Sequence, residues 1–92
     1  MLKFKSIRVA KEYLEDCNPE ALMADGHENA LIGVVEKFEG CVAAYDTDII
    51  IKNLMAMGMT DEEAEEFFRF NIIGAHVGPY TPVYLIGAVN KK

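Results

Sequence analysis

The segment from Gly58 to Pro82, GMTDEEAEEFFRFNIIGAHVGPYTP, constrains the fold most because it joins a marked helix start to a glycine-rich loop. Thr60 and Glu63 have the spacing of a capping box, in which each side chain accepts a hydrogen bond from the backbone amide of the other residue. Apolar residues then recur at helical spacing: Ala64, Phe67, Phe68 and Ile72. We therefore predict a helix over Asp61–Ile73, ended by Gly74 in the left-handed conformation.

Two polar residues of this segment are candidates for a site. Asn71 follows Phe67 by four residues and Phe68 by three, so a regular helix would place its amide on the buried side. An unpaired polar group there costs about 1–3 kcal/mol, so we expect Asn71 either to bond the backbone of the following loop or to contact a ligand. His76 lies in that loop, where it is either solvated or a ligand contact.

Composition limits the classes of protein that this chain can belong to. Its 92 residues predict one domain, and its net charge of −6 argues against binding to nucleic-acid phosphates. The two cysteines show no paired spacing, so we expect reduced thiols in a cytoplasmic protein. The chain shows no signal peptide and no apolar run of the ~18 residues that a membrane span needs.

Hydrophobic periodicity, glycines and prolines predict the remaining elements. In chain order they are a helix from about Ser6 to Asp16, although Leu2 and Phe4 alternate as in a strand; a short helix capped by Asn18, with Pro19 first and Gly26 as its stop; a β-hairpin of Ala30–Phe38 and Cys41–Tyr45, with a bulge or close approach at Gly33; a helix from Asp46 or Thr47 to Gly58; and a strand over Val83–Ile86.

These elements predict an α+β fold. A β-hairpin and a C-terminal strand would form a small antiparallel three-stranded sheet. The last two helices, joined by a short link, would form an αα-hairpin that packs against one face of the sheet. Short helices would precede the sheet at the N-terminus.

The hairpin also brings two acidic segments together. The start of its first strand adjoins the end of its second, so Asp25, His27 and Glu28 should lie near Tyr45 and Asp46. If the loop after the last helix folds back, His76 and Tyr80 would approach the same end. Their spacing matches no established metal motif, and we predict no metal and no cofactor. The competing interpretation is that Asp46 and Asp48 only begin a helix.

Four separated blocks of sequence resemble one known family. These blocks are ADGHENALIG, AAYD, GMTDEEA and FNIIGAHVGPYTPV, and together they span residues 24–83. They resemble a family of small, functionally uncharacterised proteins of tailed bacteriophages, whose usual aromatic residue after ADG is His27 here. The resemblance implies a phage accessory protein in a bacterial cytoplasm, and it adds Gly78 and Thr81 to the candidate positions.

We therefore expect a non-catalytic module that binds and modulates a host protein. The alternative is an oligomeric module that binds a small ligand or nucleotide. No nucleophile motif or phosphate-binding loop is present, so we do not expect an enzyme. The predicted binding residues are Asp25, His27, Glu28, Tyr45, Asp46, Asn71, His76, Gly78, Tyr80 and Thr81. The expected partner is a host or phage protein or a small molecule, without nucleic acid or membrane, and exposed Met and Phe side chains allow a homo-oligomer.

Overall fold

The computed structural model describes residues 2–3, 6–75 and 77–87, and it confirms the α+β class. Three α-helices and a mixed sheet make up the fold. In chain order the elements are β1 (Leu2–Lys3), α1 (Ile7–Cys17), a 3-10 turn (Glu28–Ala30), β2 (Leu31–Val35), β3 (Val42–Asp46), α2 (Thr47–Ala56), α3 (Asp61–Phe67), a π-helical turn (Phe68–Ile73) and β4 (Val83–Leu85). None of the helices in these ranges is long and apolar enough to cross a membrane.

The sequence predicts three strands that are all antiparallel, but the sheet has four strands in the order β1-β2-β3-β4 and is mixed. The pairs β1–β2 and β2–β3 are antiparallel, whereas β4 runs parallel to β3. The reason is the connection: α2 and α3 lie between β3 and β4 and carry the chain back to the end where β3 begins. The predicted irregularity at Gly33 is confirmed, since the β2–β3 register shifts between Leu31 and Gly33.

Helix α1 agrees with the predicted N-terminal helix to within one residue at each end. The short helix predicted after it is wrong. Asn18 is the C-cap residue of α1, and its backbone N–H donates to the Leu14 carbonyl oxygen at 2.8 Å. Its side chain accepts from the amide of Glu20 at 3.2 Å and donates to the Cys41 carbonyl oxygen at 2.7 Å. Asn18 therefore ends a helix and ties it to the hairpin, where we had expected it to start another.

The capping box of α3 is present as predicted. The Glu63 amide donates to Thr60 Oγ1 at 3.1 Å, and the Thr60 amide donates to Glu63 Oε1 at 2.9 Å. At the start of α2, Asp46 Oδ1 accepts from the Asp48 amide at 2.8 Å. Helices α2 and α3 contact each other across the short segment that joins them. Local side-chain capping thus sets the start of both helices.

The end of the predicted Asp61–Ile73 helix is different in the structure. After Phe67 the helix widens into a π-helical turn, in which the Gly74 amide donates to the Arg69 carbonyl oxygen at 3.1 Å. Gly74 has a φ of −68°, so the predicted left-handed conformation is wrong. Glycine is needed there for space, because a Cβ on Gly74 would lie 2.7 Å from the Phe70 carbonyl oxygen.

This wider turn also changes which side chains face the core. Ala64 and Phe68 are buried as predicted, but Phe67 is 38% exposed. Asn71 is exposed, so the prediction that its amide points to the buried side is wrong. A π-helical turn rotates each residue by less than the 100° of an α-helix, so Asn71 leaves the predicted face, whereas Ile72 stays partly buried against the core.

The core lies between the sheet and the three helices. Tyr45 is fully buried at its centre, and its ring stacks on that of Tyr84 with centroids 5.9 Å apart. The Phe68 ring meets Tyr84 edge-on at 5.5 Å. These rings join β3 and β4 to the π-helical turn, so the C-terminal strand belongs to the core although its own residues are only partly buried.

Candidate binding groove

An apolar groove of about 470 Å³ lies between three parts of the chain: residues 22–27, the link between α2 and α3, and the loop before β4. Its walls are mostly apolar, and they include Leu22, Met23, Leu54, Met57, Met59 and Phe67. Four polar residues also line it, namely Asp25, His27, Asn71 and Thr81. An apolar concavity with a few polar groups is the usual form of a binding site in proteins.

The wall formed by residues 22–27 is held in place from two sides. The amide of Ala24 donates to the hydroxyl oxygen of Tyr45 at 2.9 Å, and the amide of Leu22 donates to the Tyr80 carbonyl oxygen at 3.1 Å. Tyr45 is fully buried in β3, so the first bond connects this irregular segment to the most rigid part of the sheet. Burial raises the pKa of the Tyr45 hydroxyl, which therefore stays neutral at physiological pH.

His27 is oriented by two asparagines at the edge of the groove. Asn53 Nδ2 donates to His27 Nδ1, with the two nitrogens 3.1 Å apart. The amides of Asn53 and Asn29 also exchange two hydrogen bonds, of 2.8 and 3.0 Å. Because an amide nitrogen only donates, Nδ1 accepts, and the proton of the neutral ring lies on Nε2. His27 can therefore offer one N–H donor to a bound group.

The loop before β4 is shaped by Thr81. Thr81 Oγ1 accepts from the Val77 amide at 3.0 Å and donates to the Gly78 carbonyl oxygen at 2.9 Å. The far side of the loop is fixed to the hairpin by Lys37 Nζ, which donates to the Pro79 carbonyl oxygen at 2.8 Å. Thr81 Oγ1 thus uses its proton and one lone pair within the loop, so its main role is to position the wall that includes Val77.

The predicted meeting of the two hairpin ends is present in part. Asp25 and Glu28 lie close enough to Tyr45 to affect its hydroxyl, and Tyr45 bonds the amide beside Asp25. Glu28 is exposed, and hydrogen bonds from its own amide and that of Gly26 lower the pKa of its carboxyl. Asp46 is fully buried and caps α2, as the competing interpretation required.

The predicted binding residues thus fall into groups. Asp25, His27, Asn71 and Thr81 line the groove. Tyr45 and Asp46 are buried; Tyr45 supports the groove wall through Ala24, and Asp46 caps α2. Gly78 and Tyr80 belong to the loop, where the Tyr80 hydroxyl donates to the Glu39 carbonyl oxygen at 3.3 Å. His76 lies outside the described residues.

Sequence reasoning missed the apolar lining of the groove. Met57 and Met59 flank Gly58 in the link between the helices, and Met57 is 74% exposed. The spacing of Met57 from Ile50 and Leu54 is that of one helical face, which by itself indicates a buried side chain. The available signal was the MGM sequence itself, because methionines on either side of a helix-ending glycine cannot both follow a helical face.

The apolar surface continues beyond the groove. A shallower concavity shares Met59, Phe67 and Asn71 with it and adds Phe70, which is 79% exposed. Glu63 and Glu66 border this second concavity. The two concavities share residues and together form a continuous apolar strip with carboxylates beside it. We call it the methionine strip; its large apolar residues include Met23, Met57, Met59, Phe67 and Phe70.

The donor set of this region does not favour a metal. Within the described ranges, no group of three His, Cys, Asp or Glu side chains is placed to hold a metal ion. The Glu28 carboxylate accepts from the Gly26 amide, whereas the His27 ring bonds Asn53.

No protein-family model matches this chain, and comparison with curated proteins and with solved structures finds no significant match. The resemblance to small phage proteins therefore stays a prediction. The interpretation of the groove is based on its own geometry.

Proposed function

We propose that this protein is a non-catalytic binding module whose methionine strip receives an apolar segment of a partner protein. The observation that supports this most is the exposure of large apolar side chains at one place: Met57 is 74% exposed, Phe70 79% and Phe67 38%. Contiguous apolar surface on a small protein costs solubility and is typical of an interaction site.

Methionines suit such a role. The unbranched side chains of Met23, Met57 and Met59 can adopt several rotamers, so the strip can adapt to apolar residues of different shape. The Tyr45 hydroxyl holds the backbone next to Met23, and the amides of Met57 and Met59 donate to the Leu54 carbonyl oxygen at 3.0 and 3.4 Å. A firm frame with adaptable side chains favours binding of apolar segments over selection of one small substrate.

Charge indicates the chemistry of the partner. Asp25 lines the groove, Glu63 and Glu66 border its extension, and the chain has a net charge of −6. Lys or Arg residues beside the apolar anchors of the partner would complement these carboxylates and speed association. We therefore propose an apolar segment flanked by basic residues.

The wider biological setting is also a proposal. The four-block resemblance to phage proteins supports a host protein as the partner and a bacterial cytoplasm as the compartment. Residues of those blocks, including Asp25, Asn71 and Thr81, meet at the groove. We further propose that α2 and α3 pack as an αα-hairpin that forms the wall bearing Met57 and Met59.

A second candidate function is binding of a small molecule. The groove volume of about 470 Å³ lies within the range of roughly 300–1,000 Å³ that small-molecule sites occupy. Asp25, His27 and Asn71 supply acceptors and donors that could orient a ligand. Native mass spectrometry of protein purified from bacteria distinguishes this candidate, because a resident ligand adds mass to the folded chain that denaturation removes.

The test of the main proposal is quantitative affinity capture from a bacterial lysate. Met57→Glu places a charge in the groove, and Phe38→Glu is the matched control, since Phe38 is fully exposed in the hairpin turn. We expect the wild-type chain and Phe38→Glu to capture the same protein in similar amounts. The amount captured by Met57→Glu should be at least about tenfold lower. Circular dichroism establishes that all three are folded. Equal capture by both variants would refute the groove as the binding surface.

A purified partner then permits a test of the charge argument. Met57→Lys should weaken binding more than Met57→Glu if the flanking residues of the partner are basic, because a lysine adds repulsion to the loss of apolar contact. Affinity should also fall as salt concentration rises. An affinity that is independent of salt would refute the proposal that the partner has basic flanking residues, whereas the proposal that it binds in the apolar groove would stand.

A further inference from the structure

The end of α1 lies against the hairpin at the residues that adjoin the two cysteines. Asn18 Nδ2 donates to the Cys41 carbonyl oxygen at 2.7 Å. A Cβ placed on Gly40 would lie only 3.0 Å from the same nitrogen. The backbone of residues 17–18 is thus held close to that of residues 40–41, although the two segments lie on opposite sides of β2 in the chain.

The thiols themselves face each other in this contact. The Cys17 thiol has a side-chain hydrogen bond with Cys41, and the Tyr13 hydroxyl is near enough to both thiols to be affected by them. Both cysteines are free; Cys17 is exposed and Cys41 is half-buried. Two thiols held together with one of them exposed allow an oxidant to enter at Cys17 and the second thiol to complete the reaction.

We propose that Cys17 and Cys41 are a thiol pair that closes to an intramolecular disulfide under a disulfide oxidant such as glutathione disulfide. In the first step the Cys17 thiolate attacks one sulfur of glutathione disulfide and releases one glutathione thiolate. In the second step the Cys41 thiolate attacks the Cys17 sulfur of the mixed disulfide and releases the other. The protein loses two thiol protons and two electrons, and one glutathione disulfide is reduced to two glutathiones.

The surroundings of the pair set its rate. Although Cys17 is exposed as a residue, partial desolvation of its thiol and the neighbouring Cys41 raise the pKa of that thiol to about 11, so few molecules carry the reactive thiolate at neutral pH. The first step should therefore be slow at pH 7 and speed up about tenfold per pH unit below that pKa. The pair is suited to sustained oxidising conditions, as distinct from rapid signalling.

Closure would tie α1 to the hairpin covalently. The new bond would enclose β2 in a loop and restrict the unfolded chain, which should raise the Tm by roughly 10–20 °C. Because Asn18 already holds the two segments together, closure should require little movement of the backbone.

The experiment treats the full chain, at low micromolar concentration, with glutathione disulfide at pH 7 and pH 9, followed by alkylation and intact mass measurement. The expected product has lost two hydrogens, takes up no alkylating agent, forms faster at pH 9 and shows the higher Tm, which dithiothreitol reverses. Cys17→Ser and Cys41→Ser are the controls; each should stop at a single glutathione adduct with no rise in Tm.

Two results would overturn the proposal. One is wild-type protein that accumulates two glutathione adducts or disulfide-linked dimers in place of the internal bond. The other is wild-type protein that stops at a single glutathione adduct at pH 9, as Cys41→Ser does, since that would show an accessible Cys17 without a partner thiol in reach. Both results are independent of what the groove binds.

Discussion

Removal of one hydroxyl group should test how the groove is supported. Tyr45→Phe deletes the acceptor of the Ala24 amide and leaves the ring that stacks on Tyr84 at 5.9 Å. The substitution therefore separates the hydrogen bond from the packing. Tyr45 is fully buried, so the space left by its hydroxyl is closed to bulk water on the side of the core.

The expected loss of stability can be estimated from this geometry. A net hydrogen bond contributes about 0.5–1.5 kcal/mol, and a buried amide left without an acceptor costs about 1–3 kcal/mol. Ala24 is only half-buried, so water can partly replace the lost acceptor, and we expect about 1–2 kcal/mol. In a domain of this size that corresponds to a fall in Tm of roughly 5–15 °C.

Thermal and urea unfolding followed by circular dichroism measure the change. Tyr80→Phe is the control, because its hydroxyl bonds an exposed carbonyl at 3.3 Å and its loss should change stability by less than about 0.5 kcal/mol. Hydrogen exchange should also show the segment 22–27 opening more often in Tyr45→Phe. If the two variants had equal Tm values, the Ala24 bond would not hold this wall, and the groove would lack the firm frame argued above.

Three further changes test separate parts of the fold. Thr60→Ala removes the capping bond to the Glu63 amide, and the urea midpoint should report a loss of about 1 kcal/mol; a loss of zero would show that the helix start is held by packing. Gly74→Ala places a Cβ 2.7 Å from the Phe70 carbonyl oxygen and should destabilise by about 1–2 kcal/mol, whereas an ordinary right-handed glycine would gain stability on the same change. Burial raises the pKa of Tyr45 above 10.0, so tyrosine ionises at a lower pH in the unfolded chain than in the folded protein. The contribution of the neutral hydroxyl to the free energy of unfolding should therefore be intact below pH 10.0 and be lost as the pH rises through the folded pKa. Urea unfolding at several pH values measures this loss, which should be smaller in Tyr45→Phe.

Much of the local structure was predictable because it depends on residues close together in the chain. The Thr60–Glu63 capping box, the Asp46 cap of α2 and the bulge at Gly33 all follow from spacing and residue type. Helix α1 was also predicted to within a residue of its ends. In each case the partner of the decisive side chain lies within four residues or directly across a hairpin.

The candidate site was predictable only in part. The hairpin argument correctly placed the segment of Asp25 beside Tyr45, because antiparallel pairing joins those ends. The predicted burial of the Asn71 amide is wrong because the π-helical turn is not encoded in a local pattern. The methionines at the end of α2 look like ordinary core residues until the loop before β4 is placed opposite them.

The sequence by itself determined where α2 and α3 begin and where the first two core strands pair. The tertiary structure decided three other features: β4 pairs parallel with β3, Asn18 ties α1 to the hairpin, and an open apolar groove remains between the helices and the last loop. The physical reason is how far apart in the sequence the interacting residues lie. Capping and hairpin pairing involve near neighbours, whereas the direction of β4 and the exposure of Met57 depend on how the whole chain satisfies its core, which no local pattern records.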